Sequence, residues 1–471
     1  MAARTLRVIS ADRRAFLAKA GAACAALLYV LMVAKAIAGS SGPGGFHLPL
    51  FALGLALAPL ALVLAARAPM IFPFGLFLAL IPFDPLLSVS AGATLVRILG
   101  IASAITLMLQ ILVRRNVLHL RAPWYYWLAY VAWAGTSLLW TDSMTESLRV
   151  LGIIVQNFGL LTVLAVYPLS RNDLKTIATV MVLAGVVAVG YAFESGGGMS
   201  TVTRMSLTST TGNVVDQNYF ATSFILPIAF AFTTATSSRR ILMRLACWSA
   251  VAVMTVGVLV SGSRSGFVAV GLMFAFFAWR GRSWTQFAVL LAGFVGLLIR
   301  FPLVWQRFMH DDGGGTGSGR TLIWSVGLHV LQGNWLVGTG IGSFPESYAR
   351  VFLSTYQRFN QGWMRPAHNV LLGMAVELGI VGVALLVLAC VSTYRSLRVI
   401  PRSSPNFAFR TACEGALLGL ALQSLFIDPM WNKFVWLGLA LPFAVLNLER
   451  PRAVIAQRIA AIRFGSVARG T

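Results

Sequence analysis

Apolar residues fill most of this chain in long runs, and polar residues fall in the gaps between them. Runs of roughly 17–25 residues recur, which is the length that a helix needs to cross about 30 Å of hydrocarbon. In lipid, a run of this length satisfies its backbone hydrogen bonds only as a helix. The pattern therefore predicts an all-α polytopic membrane protein with about 12–14 transmembrane helices.

The candidate spans follow one another with short connections, except at about 194–216 and 301–366. The spans, of which the third is short, lie at about 16–38, 48–66, 71–83, 94–113, 124–140, 150–168, 175–193, 217–235, 241–261, 265–279, 284–300, 367–391, 412–427 and 431–448. The connection at 301–366 is the longest, and loops of this length usually carry function.

Composition agrees with a membrane protein, since 58% of the residues are hydrophobic and only 11% are charged. A soluble protein would have about 25% charged residues. The net charge of +23 would indicate nucleic-acid binding in a soluble chain, but here most Lys and Arg residues lie in alternate loops. The positive-inside rule then places both termini in the cytoplasm and the 301–366 loop in the periplasm of a bacterial inner membrane. We expect no nucleic-acid partner.

The N-terminal stretch DRRAFLAKAGAACAALLYV resembles a twin-arginine export signal. The alternative is a basic cytoplasmic flank followed by an uncleaved first helix, and we favour it because many more spans follow. The four cysteines lie in apolar stretches without metal-ligand spacing, so we interpret them as small buried hydrophobic residues. They are Cys24, Cys247, Cys390 and Cys413.

A glycine-rich stretch, DDGGGTGSGRT at 311–321, has P-loop spacing with Arg320 in place of the lysine. A P-loop also needs a preceding strand and cytoplasmic nucleotide, and neither is expected here. Arg320 instead begins a predicted amphipathic helix, GRTLIWSVGLHVL. His310, Asp311 and Asp312 offer metal-ligand side chains, but three adjacent residues on a flexible tip rarely preorganise a site. We predict neither a metal nor a cofactor.

Arginines concentrate in the outer loops, where the positive-inside rule leaves few basic residues. They include Arg264, Arg300, Arg307, Arg320, Arg350, Arg358 and Arg365. Arginine binds phosphate with a bidentate fork, although outer arginines also contact lipid headgroups or solvate a loop. Arg264 lies in the tight turn GSRSG between two spans, where a charge needs a partner, so we favour a functional role for it.

His368 opens the span after the long loop, in RPAHNVLLGMAVELGIVG. Imidazole titrates near neutral pH and can take a proton from a hydroxyl group, and Asn369 could orient it or the acceptor. The alternative is an ordinary polar residue at a helix start. Glu377 lies about 13 Å deeper at 1.5 Å per residue, where a carboxylate needs a partner or a polar cavity.

Asp216 and Asp428 fall at outer helix ends, where either could pair with an arginine or orient His368. The arginines, one candidate base and two carboxylates thus share the periplasmic membrane edge. This layout fits a membrane-embedded donor with a diphosphate group. Arginines would stabilise the diphosphate as it leaves, and His368 would deprotonate the acceptor hydroxyl.

Five stretches together resemble the O-antigen ligase and O-antigen/exopolysaccharide polymerase superfamily of polytopic glycosyltransferases. They occur in the order of that family, with the long outer loop directly before the histidine. They are DQNYFA (216–221), SGSRSGFVA (261–269), GRTLIW (319–324), VGTGIGSF (337–344) and AHNVLLGMAVELGIVG (367–382). The resemblance covers about 210–390.

The resemblance implies inverting, metal-independent transfer of glycan from undecaprenyl diphosphate on the periplasmic face. It implies catalytic roles for Arg264, Arg320 and His368. Asp216 and Asp428 match less sharply, and we include them with Asn369 and Arg365 as supporting residues. The expected partners are the lipid-linked glycan, a glycan or lipid A-core acceptor, membrane lipid and polysaccharide-assembly proteins.

The spans, the basic tail and the resemblance together divide the chain into four parts. These are N-terminal helices at 1–200, a catalytic region at 201–400 that includes the 301–366 loop, C-terminal helices at 401–448 and a basic tail at 449–471.

Several functions remain open. The surplus outer arginines favour a polymerase, which must bind two lipid diphosphates, over a ligase that moves finished glycan to lipid A-core. A transporter is a different class, and transporters place broken helices and polar groups at the bilayer midplane in paired repeats. No matching halves occur in this chain, and a structural division protein is the weakest alternative.

Overall fold

The computed structural model of the chain is a bundle of α-helices, which confirms the predicted all-α polytopic fold. The structure describes residues 60–61, 63–90, 93–113, 120–195, 205–208, 215–281, 293, 296, 320–356, 364–428, 430 and 432–449.

The first part of the described chain contains five helices, two 3₁₀ helices and a short antiparallel hairpin. In chain order they are α1 (Phe74–Leu80), a 3₁₀ helix (Ile81–Leu86), β1 (Ser88–Ser90), β2 (Ala93–Thr94), α2 (Leu95–Val113), α3 (Ala122–Thr136), a 3₁₀ helix (Ser137–Leu139), α4 (Met144–Val166) and α5 (Arg171–Ser195). The hairpin lies in a predicted outer loop and was not expected.

The second part is helical throughout its described elements. They are α6 (Gln217–Ser223), α7 (Ile225–Ser237), α8 (Ile241–Val260), α9 (Arg264–Gly281), α10 (Arg320–Asn334), α11 (Phe344–Tyr356), α12 (Val370–Ser396), a 3₁₀ helix (Leu397–Val399), α13 (Phe407–Ser424) and α14 (Lys433–Asn447).

Six helical segments within the described residues are long and apolar enough to cross a membrane, and two more are apolar but shorter. Every predicted span from 71–83 to 265–279 has a helix at its position, as do the three spans after residue 366. The spans predicted at 16–38, 48–66 and 284–300 lie wholly or largely outside the described residues.

Loops that were predicted to share the cytoplasmic face do contact one another. The Arg121 guanidinium donates to the carbonyl of Leu446 at 2.9 Å, and that of Arg171 donates to the carbonyl of Pro405 at 2.9 Å. Two segments can contact each other at one face only if the chain crosses the membrane an even number of times between them. The alternation of the chain is therefore consistent with the charge pattern, and the assignment of this face to the cytoplasm stays a prediction.

The region predicted as a long loop contains two helices, α10 and α11. The first matches the predicted amphipathic helix from Arg320, whereas α11 was missed. We call residues 320–356 the outer unit. Its two helices pack on the start of α12 around a small apolar core, separate from the main core of the bundle. That core contains Ile323, Val326, Val330, Phe344, Tyr348, Phe352, Ala367 and Val376.

Helix α12 is broken at Gly379, where φ is 67° and ψ is −172°. A Cβ at this position would lie 2.0 Å from the carbonyl oxygen of Leu336, so only glycine fits the close approach of residues 335–343. The three residues before the break each have a carbonyl that accepts a hydrogen bond from the protein. The pairs are Thr339 N to Val376 O (2.8 Å), Gly340 N to Glu377 O (2.8 Å) and Trp133 Nε1 to Leu378 O (3.0 Å).

Candidate active site

Asp216 is the N-cap of α6. Its Oδ1 accepts hydrogen bonds from the backbone N–H groups of Asn218 at 2.8 Å and Tyr219 at 3.2 Å. Aspartate is among the residues preferred at this position because its carboxylate satisfies helix-terminal N–H groups. The cap holds the carboxylate at the start of α6, and Asp216 remains exposed.

Arg264 is the first residue of α9, and the turn before it is attached to α6. Ser263 Oγ donates to Asn218 Oδ1 at 2.9 Å. A Cβ added at Gly266 would lie 2.7 Å from the Cβ of Ala221, so the two helices touch closely at this point. Arg264 is half-buried. The structure thus places the starts of α6 and α9 side by side, with Asp216 on one and Arg264 on the other.

His368 immediately precedes the cap of α12 and has a left-handed backbone, with φ at 48°. A non-glycine residue in this region costs roughly 1–3 kcal/mol, and such strain clusters at functional sites. Asn369 is the N-cap of α12, since its Oδ1 accepts from the N–H groups of Leu371 at 3.0 Å and Leu372 at 3.1 Å. Asn369 therefore shapes the backbone that presents His368.

Three charged residues act on His368. Burial lowers the pKa of His368 below its ordinary value, the guanidinium groups of Arg320 and Arg365 lower that pKa further, and the carboxylate of Asp216 opposes them. A cation lowers the pKa of a nearby imidazole because it disfavours the charged imidazolium. The structure therefore brings together four predicted site residues, and their combined environment favours the neutral form of the histidine.

The position of Arg320 depends on a contact that the sequence did not reveal. Trp324 lies one turn after Arg320 on α10, and its Nε1 donates to the carbonyl of Ala367 at 3.0 Å. This bond fixes the start of the outer unit beside the residue that precedes His368. Trp324 belongs to the GRTLIW stretch, and an indole three positions after an arginine-threonine pair is the only sequence signal for this role.

Asp428 lies behind α6. It is buried, and its backbone carbonyl accepts a hydrogen bond from the hydroxyl of Tyr219 at 2.7 Å. The nearby Gln423 Nε2 donates to the carbonyl of Asn218 at 3.4 Å. Asp428 thus supports α6 from the side of α13 and α14, whereas Asp216 is the carboxylate that acts on His368.

Two other predicted residues lie apart from His368. Arg350 on α11 pairs with Asp142 at 3.4 Å, and its side chain is 59% exposed. Glu377 was predicted to need a partner because it lies deep in its span. Its carboxyl group accepts hydrogen bonds from the backbone N–H groups of Gly342 at 2.8 Å and Phe344 at 3.4 Å. Arg300, Arg307 and Arg358 lie outside the described residues, and so do His310, Asp311 and Asp312. Within the described parts of the chain, no group of three His, Cys, Asp or Glu side chains is arranged to hold a metal ion.

Residues 249–387 match the family model for O-antigen ligase. The match confirms the resemblance to the O-antigen ligase and polymerase superfamily that the five stretches predicted. The matched range contains Arg264, Arg320, Arg365, His368 and Asn369, and Asp216 and Asp428 lie outside it. No curated protein matches the chain.

Proposed function

We propose that this protein transfers glycan from undecaprenyl diphosphate to a sugar hydroxyl at the periplasmic face of the inner membrane. The observation that carries the proposal is the convergence of Arg320, Arg365 and Asp216 on a half-buried histidine whose pKa is lowered. A general base must be neutral at the operating pH, and cations beside it suit an anionic leaving group.

In the proposed reaction, neutral His368 takes the proton of the acceptor hydroxyl. The acceptor oxygen attacks the anomeric carbon of the donor sugar, and the bond from that carbon to the diphosphate oxygen breaks. Undecaprenyl diphosphate leaves with the bonding electron pair, and Arg264 and Arg320 stabilise its charge. Attack opposite the leaving group inverts the anomeric centre, and no metal is required for this step.

The finer proposal is that the enzyme polymerises repeat units of an exopolysaccharide or O-antigen. A polymerase binds two lipid diphosphates, and Arg365 adds a cation beside Arg320 and His368. Arg350 pairs with Asp142, so it no longer counts among the surplus outer arginines that favoured a second diphosphate site. The alternative is a ligase that moves finished glycan to lipid A-core, and the description of the matched family favours it.

Transport of a polysaccharide precursor is the alternative from a different class, and the break in α12 is the observation that favours it. Transporters use unwound carbonyl groups to coordinate ions. In this protein the carbonyls before the break accept hydrogen bonds from Thr339, Gly340 and Trp133 instead. The break therefore serves the attachment of the outer unit, and we prefer glycan transfer.

The test uses the purified full-length protein in liposomes with a synthetic undecaprenyl-diphosphate oligosaccharide, and the products are separated on a gel. A ladder that rises by one repeat unit without lipid A-core supports the polymerase. A single shift that appears only after lipid A-core is added supports the ligase. An unchanged product pattern with a chelator supports metal independence. Movement of intact donor across the bilayer without new glycosidic bonds would overturn the proposal in favour of transport.

A further inference from the structure

We infer that Glu377 is a positioning residue, which sets the placement of Arg320 on the outer unit relative to His368 at the start of α12. The inference rests on the proposed function for its catalytic consequence. It also makes a structural claim that can be tested without any activity.

The carboxylate of Glu377 connects two parts of the chain that carry different site residues. Glu377 belongs to α12, the helix that follows His368, and it is 1% exposed. Its two oxygens accept from Gly342 N and Phe344 N, at the point where α11 begins. A buried N–H group that loses its acceptor is left unsatisfied, which is costly. The outer unit is therefore held by both oxygens of one buried carboxyl group, at the turn between its two helices.

The outer unit has a second side-chain attachment near its other end. Trp324 donates to the carbonyl of Ala367, one turn after Arg320. Other bonds join residues 339–350 of the outer unit to Ser137, Ser147 and Asp142, so Trp324 is the side-chain attachment nearest Arg320. Without the carboxylate of Glu377, the turn at 342–344 loses its side-chain bonds to α12 and the outer unit can tilt about Trp324. The Cα of Arg320 lies about 6 Å from that point along α10. A rotation of about 10° then moves Arg320 by about 1 Å, and a misplacement of this size can cost about 100-fold in rate.

The remaining contacts explain why loss of this carboxylate should leave the protein folded. Thr339 and Gly340 still donate to the carbonyl groups of Val376 and Glu377 through their backbones. The small apolar core of the outer unit is also untouched. The outer unit should therefore remain docked but less well oriented.

The first experiment measures a distance. In a variant without the four native cysteines, spin labels are attached at the exposed positions Ser325 on α10 and Thr136 on α3, and pulsed electron paramagnetic resonance gives the distance distribution. Glu377→Gln is compared with Glu414→Gln, which alters a carboxylate of equal burial on α13 that pairs with Arg410 at 2.8 Å and Arg280 at 3.3 Å. We expect a broader or displaced distribution for Glu377→Gln and an unchanged one for Glu414→Gln.

The second experiment measures transfer with the same variants. We expect kcat to fall about 100-fold for Glu377→Gln with a much smaller change in KM, because a misplaced catalytic group affects the transition state more than substrate binding. The acidic limb of the pH profile should move to higher pH, since a more distant Arg320 depresses the His368 pKa less, while Asp216 and Arg365 keep their effects. Glu377→Asp, which keeps the carboxyl group on a shorter side chain, should recover part of the rate.

An unchanged distance distribution in Glu377→Gln would overturn the positioning role, whatever the activity. A changed distribution with a wild-type rate and pH profile would overturn its catalytic consequence. If Glu377→Gln does not reach the membrane, Glu377→Asp carries both measurements, and a wild-type result in both would overturn the inference. If the wild type itself transfers no glycan, the proposed function fails while the distance measurement still decides the structural claim.

Discussion

The two sides of the candidate site are built in different ways. On one side, Asp216 and Arg264 stand at the starts of α6 and α9, two helices of the bundle that touch where Gly266 meets Ala221. On the other side, Arg320 stands on the outer unit, which is attached to α12 through Trp324, Glu377 and the backbone around Gly379. His368 lies where the two sides meet.

This difference separates two ways of losing function. The bundle side is held by close helix packing, so damage there should act through the stability of the bundle. The outer side is held by directional hydrogen bonds and by a small apolar core separate from that of the bundle, so damage there should act on geometry and leave the bundle folded. The histidine depends on both sides, since Asp216 and Arg320 shift its pKa in opposite directions.

The largest loss of activity is expected from substitutions of His368, where the two sides of the site meet. His368→Ala should reduce transfer about 100- to 10,000-fold, the usual contribution of a general base, without reducing the amount of protein in the membrane. His368→Asn should do the same while tolerating the left-handed backbone, which asparagine adopts more readily than most residues. Initial rates in proteoliposomes provide the measurement. His329→Ala, an exposed histidine on α10, is the matched control, and a rate near wild type for both His368 variants would end the general-base hypothesis.

The next effect tests the outer side. Arg320→Lys keeps the charge but loses the bidentate fork, so we expect transfer to fall roughly 10- to 100-fold, equivalent to about 1.5–3 kcal/mol for hydrogen bonds to a charged group. The acidic limb of the pH profile should stay in place because the charge is kept. Arg350→Lys, on the same unit but paired with Asp142, should be nearly silent. Equal rates for Arg320→Lys and wild type would remove Arg320 from the diphosphate site.

A smaller loss of activity is expected when the bundle side is forced apart. Gly266→Ala places a methyl group 2.7 Å from that of Ala221, and overpacking of this kind costs about 1–3 kcal/mol of stability. Thermal unfolding in detergent should show a lower midpoint, with a rate loss smaller than that of Arg320→Lys. Gly190→Ala on α5 has nothing within 4 Å of the new Cβ and serves as the control. Equal midpoints for the two variants would show that the α6–α9 contact is not tight.

The smallest effect is a displacement of the pH profile. Asp216→Asn keeps an N-cap for α6 but removes the charge that raises the His368 pKa. The pKa should fall, and because neutral histidine is the active form, the acidic limb of kcat/KM should move to lower pH. Asp173→Asn replaces a carboxylate that accepts from Ser170 N at the opposite end of the bundle and should leave the limb in place. A limb that moves to higher pH in Asp216→Asn would contradict the arrangement of charges.

The sequence was most informative where one physical property dominates. Hydropathy located the described spans to within several residues, and the polar start at Arg320 located α10. It was uninformative at Gly379, because a glycine within a long apolar run carries no mark of a broken helix. The helix α11 did carry a signal, since Phe344, Tyr348 and Phe352 follow a helical spacing of four residues.

The chemistry of the site was predicted better than its construction. The sequence could nominate His368, Arg320 and Asp216 by type and by their shared face. Their proximity depends on long-range contacts such as Ser263 with Asn218, and no local pattern specifies those pairs. Glu377 was recognised as needing a partner, yet its partner proved to be backbone amides some 35 residues earlier in the chain.

The break in α12 has a consequence for how the protein is made. Residues 335–343 are synthesised before α12, and they supply two of the donors that its interrupted carbonyls require. Until those donors arrive, the first half of α12 would expose unpaired carbonyls to lipid, which is strongly unfavourable. On the proposed topology, stable integration of α12 is therefore coupled to docking of a segment that is translocated before it. His368 should reach its place beside Arg320 only when both events have occurred, so on the proposed function an immature chain in the membrane is protected from premature glycan transfer.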